Sequence, residues 1–327
     1  MLAPSPAAPG QHHLLLSQMR QIDPWFGLSA DQPPADVVVI GCPFEEPLSP
    51  RLGTSEGPEA IRRWSRTSEA VTETGVAFSL RVHDRGDALA ATTDRATRWQ
   101  AIEAAATAAT GEHPGAFLLG LGGDHSVTPP LVAAMRQQHR DLGFVMIDAH
   151  PDAFLRYQDE EDTHASVLPL LWDRVGIEPS ATALLAVRSF APEEIGTMRR
   201  AGTVITAHEW HAIGTDAVVA GVGARLSGRP LYVSIDLDGL DPACAPGVSY
   251  PVAGGPGSRA VLELLRGLWD RFDVLAMDIV ELAPRLDQPA ETTTALAAHL
   301  CLQVFGHVAD ARRRRAGKTE SPHTRTV

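Results

Sequence analysis

The sequence predicts an α/β protein, a three-layer α/β/α sandwich built on a mostly parallel sheet. Two observations carry that expectation. Short apolar runs bounded by turn residues recur along the chain: Val37-Val38-Val39-Ile40, Ala116-Phe117-Leu118-Leu119, Gly143-Phe144-Val145-Met146-Ile147, Ala183-Leu184-Leu185-Ala186-Val187, Val204-Ile205-Thr206, Leu231-Tyr232-Val233-Ser234-Ile235 and Asp273-Val274-Leu275-Ala276-Met277-Asp278. Runs of this kind read as strands covered on both faces. Segments with helical signals lie between them, which calls for crossover helices on both sides of the sheet.

Taken in order, Met1 to about Pro34 is rich in Pro, Ala and polar residues, and residues 1–34 are expected to form an N-terminal surface segment. The sheet opens at Val37. Gly57-Pro58-Glu59-Ala60-Ile61-Arg62 starts a helix, because proline suits the first helical position. Ala101 to Ala109 is alanine-rich and free of breakers, and Pro129 to Gln137 reads as the helix after the next strand. With no internal repeat and no composition break, residues 35–310 are expected to be one domain. Arg312-Arg313-Arg314-Arg315 opens a polar stretch without apolar periodicity, so residues 311–327 are expected to be a disordered tail.

Whole-chain balance excludes some classes. The formal charge of −12 argues against nucleic acid as a partner, since phosphate binding needs a basic surface. No apolar stretch is long enough to span a bilayer, and no charged n-region precedes an apolar core, so a cytoplasmic location without a membrane partner is expected. Cys42, Cys244 and Cys301 are odd in number and widely spaced, suiting neither a disulfide framework nor a thiolate zinc site.

Chemistry concentrates where strands end. Gly122-Gly123-Asp124-His125, Asp148-Ala149-His150-Pro151-Asp152 and Asp236-Leu237-Asp238 each follow an apolar run directly or closely, and the crevice beyond the carboxyl ends of parallel strands is where such folds bind ligands. Residues i and i+2 of an extended segment share a face, which aligns Asp148, His150 and Asp152. Singly, each signal has an ordinary explanation: Asp-x-Asp caps a turn, His125 packs in a core, Gly122-Gly123 makes a tight turn. Their ordered recurrence is what spells a two-metal site. Carboxylates and imidazoles without cysteine suit Mn²⁺ and are compatible with Zn²⁺, Fe²⁺, Co²⁺ or Ni²⁺. Two such ions about 3.5 to 4 Å apart lower the pKa of a shared water far below about 15.7. Other candidates fail. His208-Glu209-Trp210-His211 lacks the zinc-protease spacing, Gly120, Gly122 and Gly123 lack the dinucleotide spacing, Ser126 lacks a nucleophile elbow, and His12-His13 is terminal.

These motifs resemble the ureohydrolases, the arginase and agmatinase family, whose hallmarks are Gly-Gly-Asp-His, Asp-Ala-His-x-Asp and Ser-x-Asp-x-Asp-x-x-Asp-Pro segments; the last stands here as Ser234 to Pro242. The resemblance runs from Gly41-Cys42-Pro43-Phe44 to the helix after Glu281. It implies the arginase-like fold and two divalent ions, with His125, Asp148, Asp152 and Asp236 on one and His150, Asp148, Asp236 and Asp238 on the other. It also implies that Glu281 pairs with a substrate guanidinium, that Asp152 orients the attacking water and relays a proton, and that His164 shuttles protons to solvent. Thr163-His164-Ala165-Ser166 departs from the commonest form, having Ala165 where glycine is usual, and is similar to plant arginases and some agmatinase-like bacterial proteins. The reaction implied is hydrolysis of a small cationic guanidino compound to urea and an amine. Agmatine or a guanidino acid is expected over L-arginine, because the usual amino-acid readers are not visible at Ala153-Phe154-Leu155-Arg156-Tyr157 or Ala186-Val187-Arg188-Ser189-Phe190; Arg156 or Arg188 could still take a carboxylate. L-Arginine is the alternative. A metal-dependent deacetylase, which wants an adjacent His-His pair at the site, and a noncatalytic relative are disfavoured. A homo-oligomer, trimer or hexamer, is expected by the same resemblance.

Overall fold

The computed structural model describes residues 24–30, 33–90, 93–315 and 317. Eight strands form one sheet: β1 Val37–Cys42, β2 Val82–Asp87, β3 Phe117–Gly122, β4 Gly143–Ile147, β5 Thr182–Val187, β6 Thr203–Thr206, β7 Leu231–Asp236 and β8 Val274–Val280. Their order is β2-β1-β3-β8-β7-β4-β5-β6 and every pairing is parallel. The chain reverses direction across the sheet after β2 and again after β6, and β7 and β8 then fill the gap left between β3 and β4. The carboxyl ends of those four central strands therefore lie side by side, the position at which open α/β sheets bind ligands.

Alternation along each strand divides the core into two layers. In β1, Val37 and Val39 face one layer while Val38 and Ile40 face the other; in β4, Val145 and Ile147 oppose Phe144 and Met146. The first layer is closed by α1 Gly57–Trp64 and by later helices that include α6 Thr215–Leu226, α7 Ser258–Arg271 and α8 Thr292–Arg315. The second is closed by α2 Arg95–Glu112, α3 Thr128–Gln138 and the helical stretch of residues 167–175. Two short helices, α4 Pro192–Met198 and α5 Ala207–Ile213, complete the set. Strands buried on both faces are the reason the sequence shows unbroken apolar runs.

Local signals explain several starts. Asp94 caps α2, its Oδ1 accepting the Ala96 and Thr97 amides at 2.9 and 3.2 Å. Thr206 and Glu209 form a capping box at the head of α5. This places His208-Glu209-Trp210-His211 as an ordinary helix start: Trp210 is buried and both histidines are exposed.

Three departures from expectation have physical causes. Strand β2 is polar, Val-His-Asp-Arg-Gly-Asp, with only its first residue buried; it holds the sheet edge partly through charge, Arg62 Nε meeting Asp84 Oδ2 at 2.8 Å. Edge strands need no apolar alternation, so no run announced it. Part of the expected surface segment is core: Trp25 is fully buried, its indole donates to Asp84 Oδ2 at 2.8 Å, and its ring lies 5.8 Å from Phe305. Residues 1–23 lie outside the described residues. The expected tail also starts late, because α8 continues through Arg315. Its arginines find acids, Arg312 with Asp36 at 2.7 Å and Arg314 with Asp310 at 2.7 Å one turn earlier, and an i,i+4 pair such as the second supports a last turn that buries no apolar side chain. Residues 318–327 lie outside the described residues.

One glycine is obligatory. The Gly123 amide donates to Cys42 O at 2.9 Å, its carbonyl accepts the Glu281 amide at 2.8 Å, and a Cβ there would sit 1.8 Å from Phe44 O. Gly123→Ala is therefore expected to force apart the β1 loop, the His125 turn and Glu281. Chemical denaturation should show a loss of about 3 kcal/mol, the upper end for overpacking; an unchanged midpoint would contradict the packing described.

Candidate metal centre

Tight turns aim the ligands. Asp124 caps the turn His125–Val127, its Oδ1 accepting the Ser126 amide at 3.0 Å. Asp236 does the same after β7, accepting the Asp238 amide at 2.8 Å, and Asp148 Oδ1 accepts the His150 amide at 2.6 Å. Asp152 and Glu281 sit at φ 46° and 65°, left-handed conformations that cost non-glycine residues free energy and persist only where the surroundings impose them.

Two groups of donor atoms result. His125 Nδ1 lies 3.1 Å from Asp148 Oδ2, 2.9 Å from Asp152 Oδ2 and 3.3 Å from Asp236 Oδ2. His150 Nδ1 lies 3.2 Å from Asp238 Oδ2 and 3.6 Å from Asp148 Oδ1. Asp148 thus turns one oxygen to each group, the arrangement of a bridging carboxylate. All six sequence-predicted ligands are brought together. Asp236 has its Oδ2 in the first group only, while its Oδ1 takes the Asp238 amide.

Electrostatics explains why this arrangement needs a cation. Burial and the adjacent Asp148 push Asp152 up to about 6, and burial with Asp238 and Asp148 raises Asp236 well above the ordinary carboxylate range. Burial opposes a charged imidazole at His150, yet Asp238 and Asp148 outweigh it and carry the ring up to about 12; His125 is raised likewise by Asp148, Asp152 and Asp236. Asp148 is held low, burial being outweighed by its two histidine neighbours. His125 Nδ1, Asp148 Oδ2 and Glu281 Oε2 are buried and make no hydrogen bond. Orphaned buried acceptors beside clustered carboxylates fit a pair of divalent cations held by oxygen and imidazole nitrogen.

Beneath the ligands lies a network that sequence reasoning missed. His125 Nε2 meets Ser234 Oγ at 3.0 Å, and Ser234 donates to Asp278 Oδ1 at 2.6 Å. Asp278 Oδ2 also accepts Tyr232 Oη at 2.7 Å and Thr128 Oγ1 at 2.8 Å. These partners fix the ring that presents Nδ1 to the site. A polar Ser234 and Asp278 inside apolar strands were the available signal.

Beside the ligands a cavity of about 210 Å³ opens, lined by Glu281 and His164 with Phe154, Tyr157, Phe190 and Tyr250 as walls. Glu281 Oε1 accepts the His125 amide at 2.9 Å, leaving Oε2 for a ligand. Burial, with Asp236, raises the Glu281 carboxyl well above its ordinary range. His164 is set between aromatic rings, 5.5 Å from Tyr157 and 5.9 Å from Tyr250. Glu194, also missed, lines the cavity with its oxygens accepting the Ala153 and Ala191 amides at 3.1 and 2.9 Å, and burial pushes its carboxyl up to about 7. Arg188 and Arg156, candidate carboxylate readers, are both occupied. Arg188 donates to the carbonyls of Ala186, Asp238, Gly239, Leu240 and Val252, and exposed Arg156 pairs with Glu161.

Fold and site together define a class of α/β protein whose strand ends carry carboxylate and imidazole donors suited to divalent ions. Residues 35–306 match the family model described as the Arginase family. The chain is 33% identical over 277 residues to the agmatinase of Enterobacter sp. (strain 638), covering 83% of this chain and 87% of that protein. Among solved structures it is similar to the proclavaminate amidino hydrolase of Streptomyces clavuligerus, with TM-score 0.81, 30% identity and coverage of 89% and 98%. A hypothetical agmatinase from Burkholderia thailandensis gives TM-score 0.78, 30% identity and coverage of 90% and 92%. The chain belongs to the arginase family. It is a hydrolase of the ureohydrolase type.

Because burial and neighbouring acids raise the pKa of both imidazoles and of Asp152 and Asp236, cations binding here are expected to displace protons. Calorimetric titration with Mn²⁺ in buffers of differing ionisation enthalpy is expected to show proton release, with affinity rising from about pH 6 to pH 8; proton uptake would contradict the assignment. Asp148→Asn is expected to abolish binding of both ions, since its two oxygens face both groups, and metal analysis showing one retained ion would remove its bridging role.

Proposed function

We propose that the protein hydrolyses the guanidino group of agmatine, or of a closely similar guanidino amine, to urea and the free amine, using two divalent ions, with Mn²⁺ the favoured pair. The observation that carries this reading is the cavity itself: orphaned Glu281 Oε2 and the carboxylates of Asp152, Asp236 and Asp238 in its lining, and no lysine or arginine among the described lining residues. A guanidinium is a planar fork that a carboxylate reads well. A distal ammonium suits Glu194, whereas the carboxylate of L-arginine or a guanidino acid would find no free cation, Arg188 and Arg156 being engaged elsewhere. This narrows the expectation, and guanidino acids fall behind agmatine. The 33% identity to agmatinases supports the same choice. L-Arginine remains the alternative because His164-Ala165-Ser166 resembles the plant-arginase form.

His125, Asp148, Asp152 and Asp236 would hold one ion and His150, Asp148 and Asp238 the other, which Asp236 would share by the family resemblance; bound there, the ions would supply Lewis acidity and a water of lowered pKa. Glu281 Oε2 accepts guanidinium N–H groups and fixes the carbon over the carboxylates. Asp152 takes the proton of the attacking water and passes it to the departing nitrogen as the C–N bond breaks. His164, raised to about 9 by Glu46 and nearby acids against the opposing effect of burial, exchanges that proton with solvent through the cavity mouth. The aromatic walls keep competing water from the reacting carbon.

No described helix is long and apolar enough to cross a membrane, and free Cys42, Cys244 and Cys301 support a reducing, cytoplasmic setting as part of the proposal. A trimer or hexamer belongs to it too, and light scattering giving a monomer mass would count against that assembly.

Urea release by Mn²⁺-loaded protein across a guanidino panel tests the function. A kcat/KM for agmatine at least about tenfold above L-arginine, 4-guanidinobutyrate and guanidinopropionate is expected, a difference of about 1.4 kcal/mol; the reverse order would transfer the assignment to the acid. His164→Ala should keep both ions and lower kcat by about 10²- to 10⁴-fold. An emptied metal site in that variant would make His164 a ligand instead.

A further inference from the structure

A second group of buried charge lies beside the cavity, away from the six ligands. Glu46, on the loop after β1, is fully buried, and its carboxylate Oε2 lies 3.7 Å from His164 Nδ1. His164 Nδ1 is buried and makes no hydrogen bond, so the other ring nitrogen, Nε2, is the one left to the cavity. Arg98, fully buried on α2, reaches Glu46 Oε1 at 3.3 Å with Nη1 and pairs with Asp162 through Nη2. Arg95 adds Nη2 at 3.4 Å from Glu46 Oε2. The Phe44 ring stacks under Arg98 with its centroid 4.8 Å from the guanidinium.

A buried ion cluster of this kind contributes little net stability, because desolvation offsets the attraction. Its geometry is more informative. Arg98 ties together the Glu46 loop and the loop in which Asp162 stands two residues before His164, and Arg95 does the same, its Nη1 lying 2.9 Å from Glu160 Oε2. A third cation at Glu46, Asp124 and His164, whose donor atoms also converge, is opposed by the adjacent guanidinium groups of Arg98 and Arg95. The groups facing His164 are Glu46, Asp124, Asp152 and Glu281 as acids, with Tyr157 and Tyr250 against its ring faces and edges. Among these, Glu46 is the carboxylate recorded within 4 Å of Nδ1.

We propose that Glu46, held in place by Arg98 and Arg95, is the positioning residue of His164: its carboxylate accepts a hydrogen bond from Nδ1–H and so fixes the ring with Nε2 facing the cavity. The gap of 3.7 Å closes to a hydrogen bond with a small ring movement, as apo hydrogen bonds at active sites commonly tighten. Nothing in the sequence singled out Glu46; the tie arises because α2 brings Arg98 and Arg95 between the two loops. The inference rests on the ureohydrolase reading for its effect on turnover, but not for its geometry.

Two measurements test it. In ¹⁵N-labelled wild-type protein loaded with diamagnetic Zn²⁺, the His164 signals, identified by their loss in His164→Gln, are expected to show a proton on Nδ1; a proton on Nε2 alone, with bare Nδ1, would overturn the proposal. In steady-state assays with agmatine, Glu46→Gln is expected to lower kcat by about 10- to 100-fold, the usual worth of an outer partner that orients a functional histidine. KM and metal content should stay near wild type. In a His164→Ala background the same substitution should change kcat by less than about twofold, since coupled sites are non-additive. An equal loss in both backgrounds would mean that Glu46 acts through the fold, and the proposal would fail. If wild-type protein releases no urea from agmatine or the other guanidino compounds, the functional reading fails while the tautomer measurement still decides the role of Glu46. The same measurement decides it if Glu46→Gln does not fold.

Discussion

The concentration of negative charge at the ends of four central strands is the constraint on which the rest of this structure depends. Asp148, Asp152, Asp236 and Asp238 are almost wholly removed from water within a few ångströms of one another. Carboxylates so placed repel and lose hydration, and only protons or metal ions can compensate. The fold pays for this with rigid surroundings. Each carboxylate accepts a backbone amide or faces an imidazole, two residues of the site hold left-handed backbone conformations, and Gly123 permits the β1 loop to touch the His125 turn.

From that constraint the roles of outlying residues follow. Asp278, Ser234 and Thr128 form a polar floor whose purpose is the orientation of one imidazole, and Tyr232 completes its hydrogen bonding. On the other side, Glu46, Arg98 and Asp162 link the β1 loop to the His164 loop. Arg188, far from reading a substrate, gathers carbonyls around the turn that carries Asp238. These charged residues thus serve the geometry of the site without lining the cavity. Selectivity is left to the cavity wall, where aromatic rings and Glu194 stand instead of a cation.

The ligands were legible in the sequence because metal chemistry demands particular side chains at short spacings, and because strand ends are marked by the apolar runs before them. Asp148, His150 and Asp152 alternate; Asp236 and Asp238 alternate; each cluster follows a buried strand. Glu281 and His164 were reached only through resemblance to the ureohydrolases, since a lone acid after a strand and a lone histidine in a loop carry no pattern. Glu46, Arg98 and Glu194 were not reached at all. Their chemistry depends on partners 52 residues apart for Glu46 and Arg98 and 41 apart for Ala153 and Glu194, and single-chain spacing is silent about such pairs.

The sequence by itself determined that strands and helices alternate, that strands are covered on both faces, and that oxygen and imidazole donors collect at strand ends. These follow from side-chain period and solvation, which act locally. Strand order was decided only by tertiary structure: β7 and β8 insert between β3 and β4, which makes neighbours of clusters more than a hundred residues apart. The polar edge strand β2, the buried Trp25 and the helical arginines of α8 also depend on partners supplied from elsewhere in the chain. So does the fate of Arg188, because whether an arginine meets a ligand or a ring of carbonyls is set by the backbone folded around it.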